Sequence, residues 1–114
     1  MFEKGKIILV PFPFTDLSSQ KVRPALIVGE KVTSTPDVIV CFISSISKPK
    51  QYRNSILFKE HDNGFQDTGL KTASLIRLDK IATLDKKIII GEIGFLPEQY
   101  HTQVDSGLKK IFGL

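Results

Sequence analysis

Val38-Ile39-Val40-Cys41-Phe42-Ile43 is the stretch on which the fold turns. Six consecutive apolar residues, rich in β-branched side chains and too few for a globular helix, read as a strand buried on both faces. Such a strand needs partners on either side and cover above and below. The flanking sequence supplies them. Residues 6–10, 24–28, 55–59, 73–78 and 87–93 are further short runs rich in Val and Ile, bounded by Gly, Pro, Ser, Asn or Asp, which is how strands are punctuated. The run from Ser55 is shorter than residues 38–43 and more edge-like.

The only clear helical signal comes last. Pro97 stands at a first helical position with Glu98 in the first turn. Tyr100, Val104, Leu108 and Ile111 recur at helical spacing, Lys109 and Lys110 fall in the last turn, and Gly113 is placed to cap it. Gly107 weakens the middle of that helix by about 1 kcal/mol relative to Ala. Six short strands and one amphipathic helix predict a mainly β chain, a strongly curved sheet or small barrel closed by a helix, in a single domain over 1–114.

Composition agrees. The chain has 114 residues, 41% hydrophobic and 25% charged, enough for one modest core. The longest apolar stretch, residues 7–14, is interrupted by Pro11 and Pro13 and falls well short of the roughly 20 residues that span a bilayer, so no membrane association is expected. Residues 1–6 show no apolar signal region, and a cytoplasmic protein is the expectation. A lone Cys41 excludes an internal disulfide and a cysteine-based zinc site, and as a buried residue it should be an inert small hydrophobe. No cysteine cluster, carboxylate cluster or close histidine pair points to a metal. The net charge of +4 leans toward a polyanionic partner.

Lysine dominates the positive charge; the arginines are Arg23, Arg53 and Arg77. An arginine in this background marks a choice of chemistry, because its planar fork matches phosphate. Two polar loops are candidates for a binding surface. One, over 12–22, carries Ser18, Ser19, Gln20 and Lys21. The other, over 44–54, carries Ser45, Lys48, Lys50 and Arg53. Phe12 and Phe14 suit either base stacking or packing at a barrel end or dimer interface. His61 and His101 are acid–base candidates by residue type, but neither adjoins the Arg23 region in sequence.

Gly5-Lys6-Ile7-Ile8-Leu9-Val10-Pro11-Phe12-Pro13-Phe14-Thr15-Asp16, followed by Lys21-Val22-Arg23-Pro24-Ala25-Leu26-Ile27-Val28, resembles the MazF/PemK toxin family: a strand, a polar loop, then an Arg-Pro step opening a second strand. The likeness continues through Ile43-Ser44-Ser45, Gly69-Leu70-Lys71-Thr72-Ala73-Ser74-Leu75-Ile76, the run from Leu78 to Lys86, and Ile93-Gly94-Phe95-Leu96, covering nearly the whole chain in order. The resemblance implies an SH3-like barrel of the MazF/PemK/CcdB type with a C-terminal helix. It also implies a homodimer, a cognate antitoxin, and an endoribonuclease that cuts single-stranded RNA with no metal or cofactor. The family's catalytic arginine and hydroxyl fall here on Arg23 and Ser44. Serine stands where the family usually has threonine, and Leu17-Ser18-Ser19-Gln20-Lys21-Val22 replaces a Gly-Ser-Glu-Gln-like loop.

RNA cleavage without metal proceeds by attack of the adjacent 2′-hydroxyl, leaving a 2′,3′-cyclic phosphate and a 5′-hydroxyl. It needs charge stabilisation at the phosphoryl oxygens and proton transfers at both ends. Arg23 suits the first task, and Ser44, or failing that Ser45, can donate one more hydrogen bond. Arginine stays protonated, so the general base is left unassigned. Two other readings remain open at this point: a toxin of the same fold that inhibits DNA gyrase by binding, and a non-catalytic nucleic-acid-binding barrel.

Overall fold

In the computed structural model, residues 2–11, 21–30, 36–46 and 53–114 are described. Ser18, Ser19, Gln20, Lys48 and Lys50 lie outside them, as do Phe12 and Phe14. The strands are β1 (Lys6–Pro11), β2 (Val22–Gly29), β3 (Asp37–Ser45), β4 (Ser55–Phe58), β5 (Ser74–Asp85) and β6 (Gly91–Phe95), and the helix is α1 (His101–Phe112). They form one antiparallel sheet in the order β4-β5-β3-β2-β1-β6. The mainly β architecture with a C-terminal helix is as expected.

The sheet is not closed. β4 and β6 are its edges, and no ladder joins them among the described residues. The 3-10 turn Phe65–Thr68 and α1 take the place of that ladder, with Phe65 and Val104 completing a core built from Ile7, Leu26, Cys41, Ile43, Phe58 and Ile76. The opposite face carries a second core of Ile8, Val10, Ala25, Ile27, Val38 and Val40. The period-2 alternation of a strand explains the division: Ile7 and Ile8, Leu26 and Ile27, and Val40 and Cys41 are sequence neighbours sent to opposite faces. Val40 and Cys41 are both 0% exposed, so β3 is buried on both sides, as its unbroken apolar run requires.

Close backbone approach fixes the gap between the edges. A Cβ on Gly94 would collide with the backbone of Asp67 and Thr68, and one on Gly69 with the carbonyl of Ile93. Gly69 also has φ +75°, a left-handed conformation that favours glycine. Thr68, fully buried, donates from its hydroxyl to the Phe65 carbonyl (2.6 Å) and accepts from the Leu70 N–H (3.1 Å).

The helix begins a turn later than its sequence signal, after a 3-10 turn over Glu98–Tyr100. It ends as expected: Gly113 is left-handed, its N–H reaches the Lys110 carbonyl, and the Leu114 N–H reaches that of Lys109 at 2.8 Å. Gly107, the weak point of the helix by propensity, is where α1 presses on Leu78 of β5; a Cβ there would strike Leu78 Cδ1. Two expected strands differ. The fifth runs on past Leu78 to Asp85, and the first half of 87–93 is a 3-10 turn, Lys86–Ile88, because the Asp85 carboxylate accepts from the Lys87 N–H and turns the chain. No helix is long and apolar enough to cross a membrane.

Candidate active site

Arg23 is the second residue of β2, and the β2–β3 register runs Ala25↔Phe42, Leu26↔Cys41. Carried two residues further, the same register sets Arg23 opposite Ser44. The two cores agree with that placement. Ala25 and Phe42 both belong to the second core, and Arg23 and Ser44 lie two residues from each, hence on the same face. Facing positions on adjacent antiparallel strands put their Cβ atoms about 4.5–5.5 Å apart. Arg23 is half-buried, and among the described residues it has no carboxylate or hydrogen-bond partner. A cation held in place by the sheet and left without a counter-ion is suited to an anionic ligand.

Two cavities lie at the end of β3. The first, about 590 Å³, is bordered by Lys21, Arg23, Ser45, Lys71, Thr72 and Ser74 over an apolar floor that includes Leu9, Ile43 and Ile93. Three cations and three hydroxyls with no carboxylate among them make a wall for a phosphate backbone. The second, about 450 Å³, is lined by Phe42, Ser44, Arg77, Asp79, Lys80, Ile81 and Ala82. Ser44 and Ser45, adjacent in sequence, therefore open onto different cavities. Arg23 borders the first.

Of the other sequence candidates, Lys21 and Ser45 join Arg23 at the first cavity. Arg53 is exposed at the start of β4, where its carbonyl accepts from the Ser55 hydroxyl (3.2 Å), and it lines neither cavity. His101 Nε2 lies 2.9 Å from the Leu96 carbonyl, tying the helix start to the segment before it, and His61 is exposed on the loop after β4. Among the described residues no three His, Cys, Asp or Glu side chains converge as a metal site would need.

Sequence reasoning did not single out Lys71, Thr72, Ser74, Arg77, Asp79 or Lys80 as site residues. The last three occupy an irregularity in β5. Ile43 pairs with Ile76 and Cys41 with Ile81, so β3 advances two residues while β5 advances five. In the excess segment Arg77 Nε and Nη2 donate to the two Asp79 carboxylate oxygens, each at 3.1 Å. That hydrogen-bonded fork holds the Asp79 carboxyl below the usual carboxylate range, against a smaller opposing effect of desolvation. The available signal was Arg77 itself, a scarce arginine flanked by apolar residues.

The chain belongs to the family of PemK-like, MazF-like toxins of type II toxin–antitoxin systems, whose pattern it matches over residues 3–112. Among solved structures it is similar to the Mycobacterium tuberculosis toxin MazF-mt6, with a TM-score of 0.72 and 18% identity over 96% of this chain and 97% of that one. It is similar to MazF in the MazE–MazF structure from Deinococcus radiodurans, with a TM-score of 0.73 and 18% identity over 100% of this chain and 98% of that one. A third similar structure is a mycobacterial endoribonuclease in complex with its cognate antitoxin, with a TM-score of 0.69 and 19% identity over 97% of this chain and 94% of that one. No curated protein matches the chain.

Proposed function

We propose that the chain is the toxin of a type II toxin–antitoxin pair and acts as an endoribonuclease on single-stranded RNA, by 2′-hydroxyl attack and without a metal. The observation that carries this reading is Arg23, half-buried, without a counter-ion among the described residues, on the border of a cavity lined by Lys21, Ser45 and Lys71. Arg23 stabilises the charge that builds on the phosphoryl oxygens and can pass a proton toward the leaving 5′-oxygen. The Ser44 hydroxyl donates a further hydrogen bond. Lys21 and Lys71 hold the flanking backbone by charge, with Ser45 and Thr72 adding hydrogen bonds. Ser18, Ser19, Gln20, Lys48, Lys50 and Arg53 are the further residues assigned to RNA binding in this reading.

The active form in this reading is a cytoplasmic homodimer, with extended RNA lying in a groove lined by basic loops. An acidic segment of a cognate antitoxin, folding as it binds, suits the same groove, and the antitoxin-bound endoribonuclease among the similar structures supports such a partner. The test is to incubate the purified protein with a mixed RNA in the presence and absence of chelator and to map the ends. Cleavage in both conditions is expected. Loss of cleavage in chelator, restored by magnesium, overturns the mechanism, and absence of cleavage in every condition overturns the enzymatic reading.

A further inference from the structure

Asn63 and Gly64 form the corner of a tight turn between β4 and the 3-10 turn at Phe65. The Phe65 N–H reaches the Asp62 carbonyl (3.1 Å), and Gly64 sits at φ +88°, ψ 3°, the third position of a type II turn. Asn63 is exposed, and the Gly64 N–H forms no hydrogen bond among the described residues. An asparagine side-chain amide next to such a glycine nitrogen is a reactive pair, because glycine has no Cβ to obstruct ring closure and turns freely about its backbone. One contact opposes the reaction: the Tyr100 hydroxyl donates to the Asn63 carbonyl at 2.9 Å. We propose that Asn63 is a site of intramolecular deamidation, to aspartate and isoaspartate, and that the Tyr100 hydroxyl is the brake that gates it. The proposal is independent of the ribonuclease reading.

Water and hydroxide supply the co-reactants. Hydroxide takes the Gly64 N–H proton, the nitrogen attacks Asn63 Cγ, and the side-chain nitrogen leaves as ammonia with a proton from water. Water then adds to one carbonyl of the resulting succinimide and breaks one of its ring C–N bonds. Opening at Cγ restores the backbone with aspartate; opening at the main-chain carbon routes the chain through Cβ and Cγ and leaves a free α-carboxylate, isoaspartate. Ring closure requires the Asn63–Gly64 peptide to swing until its nitrogen faces Cγ. The peptide is planar, so the same swing carries the Asn63 carbonyl away from Tyr100. Tyr100 is itself held, its ring 4.7 Å from that of Phe58 and its N–H on the Pro97 carbonyl (3.0 Å). The reaction therefore waits on release of this turn from the segment that leads into α1. Asn54, the other asparagine, precedes Ser55, and its carbonyl accepts from the Leu78 N–H (2.9 Å), which ties it to β5. Isoaspartate at 63 lengthens the turn by one backbone atom and adds a carboxylate between Asp62 and Asp67. It thereby loosens the seat of Phe65 in the core that stands in for barrel closure.

The experiment ages the intact protein at pH 8 and follows each asparagine by peptide mapping with mass spectrometry, with isoaspartate counted by enzymatic methylation of its free carboxylate. Asn63 should convert while Asn54 stays intact, and Asn63→Gln should suppress the signal. Tyr100→Phe keeps the ring and its packing and should speed conversion at Asn63 roughly fivefold, equivalent to about 1 kcal/mol for one hydrogen bond. It should leave Asn54 unchanged, which separates release of this turn from a general loss of stability. In urea that unfolds both proteins the two should convert at one rate, since no brake remains. Aged parent should unfold at lower urea than fresh parent, in step with its isoaspartate content. An Asn63 that stays intact, or converts no faster than Asn54, overturns the site. Equal rates in folded Tyr100→Phe and parent, or an equal acceleration at Asn54, overturn the brake.

Discussion

Ser44 and Ser45, joined by one peptide bond at the end of β3, serve two different cavities, Ser44 beside Arg77 and Asp79 and Ser45 beside Lys21 and Arg23. Strand alternation sends their hydroxyls to opposite faces, and the β2–β3 register, continued two residues past Ala25↔Phe42, sets Ser44 across from Arg23. The two serines therefore differ in what their removal does. In the proposed mechanism the Ser44 hydroxyl acts on the reacting phosphate, so Ser44→Ala should lower kcat, with KM changed little. Ser45→Ala should act on KM. The reverse pattern in steady-state cleavage of a defined RNA would move the catalytic hydroxyl by one residue.

Arg23 should be the more sensitive position. Arg23→Lys keeps the charge and loses the fork, and cleavage should fall by on the order of 100-fold. Arg23→Ala should abolish it and exceed the loss from Ser44→Ala. Since Arg23 has no partner among the described residues, neither change should shift the thermal midpoint appreciably. A folded Arg23→Ala protein cutting at the normal rate removes Arg23 from the chemistry.

Gly94→Ala tests the packing that stands in for barrel closure. Its Cβ would meet the backbone of Asp67 and Thr68, which cannot rotate away as a side chain can. A loss of roughly 3 kcal/mol is expected in urea unfolding. Gly107→Ala should cost less, because it meets only the flexible end of Leu78 and recovers about 1 kcal/mol of helix propensity. Equal midpoints for Gly94→Ala and the parent would contradict this packing.

Cys41 gives a pH signature. Burial, and secondarily the Asp79 carboxylate, push its thiol up to about 12. In the unfolded chain it ionises near pH 8.5. Its contribution to stability is therefore complete below that value and lost as pH rises toward 12, by at most ~1.4 kcal/mol per pH unit. The fall in stability between pH 9 and 11 should be shallower in Cys41→Ala than in the parent. The folded parent should also resist a thiol reagent at pH 8 and react once unfolded. Ready labelling of the folded protein would show that the thiol is not buried.

Much of the fold was legible because each of the first four strands is a short β-branched run between turn residues, and because Gly113 stops the helix where its periodicity ends. The fifth strand was not legible in full. Asp79-Lys80 reads as a break, but the extra residues of β5 carry those charges outward and the ladder resumes at Ile81. Ile88 and Ile90 read as strand from their side chains, yet both are exposed, since a capping bond from Asp85 outweighs their propensity. In the candidate site, the Arg-Pro step and the serines after β3 stand out as motifs. The Arg77–Asp79 fork and the Lys71–Thr72 wall do not, because they join β2 and β3 only through long-range register.

The central claim, that this protein cuts RNA by attack of the neighbouring 2′-hydroxyl, is tested most directly on one oligonucleotide containing a mapped cut site. The ribose on the 5′ side of that bond is replaced by deoxyribose and nothing else is changed. Binding should persist and cleavage at that bond should cease, while the all-ribose control leaves a 2′,3′-cyclic phosphate and a 5′-hydroxyl. Cleavage of the deoxy-substituted bond, with a 5′-phosphate on the product, would contradict the account.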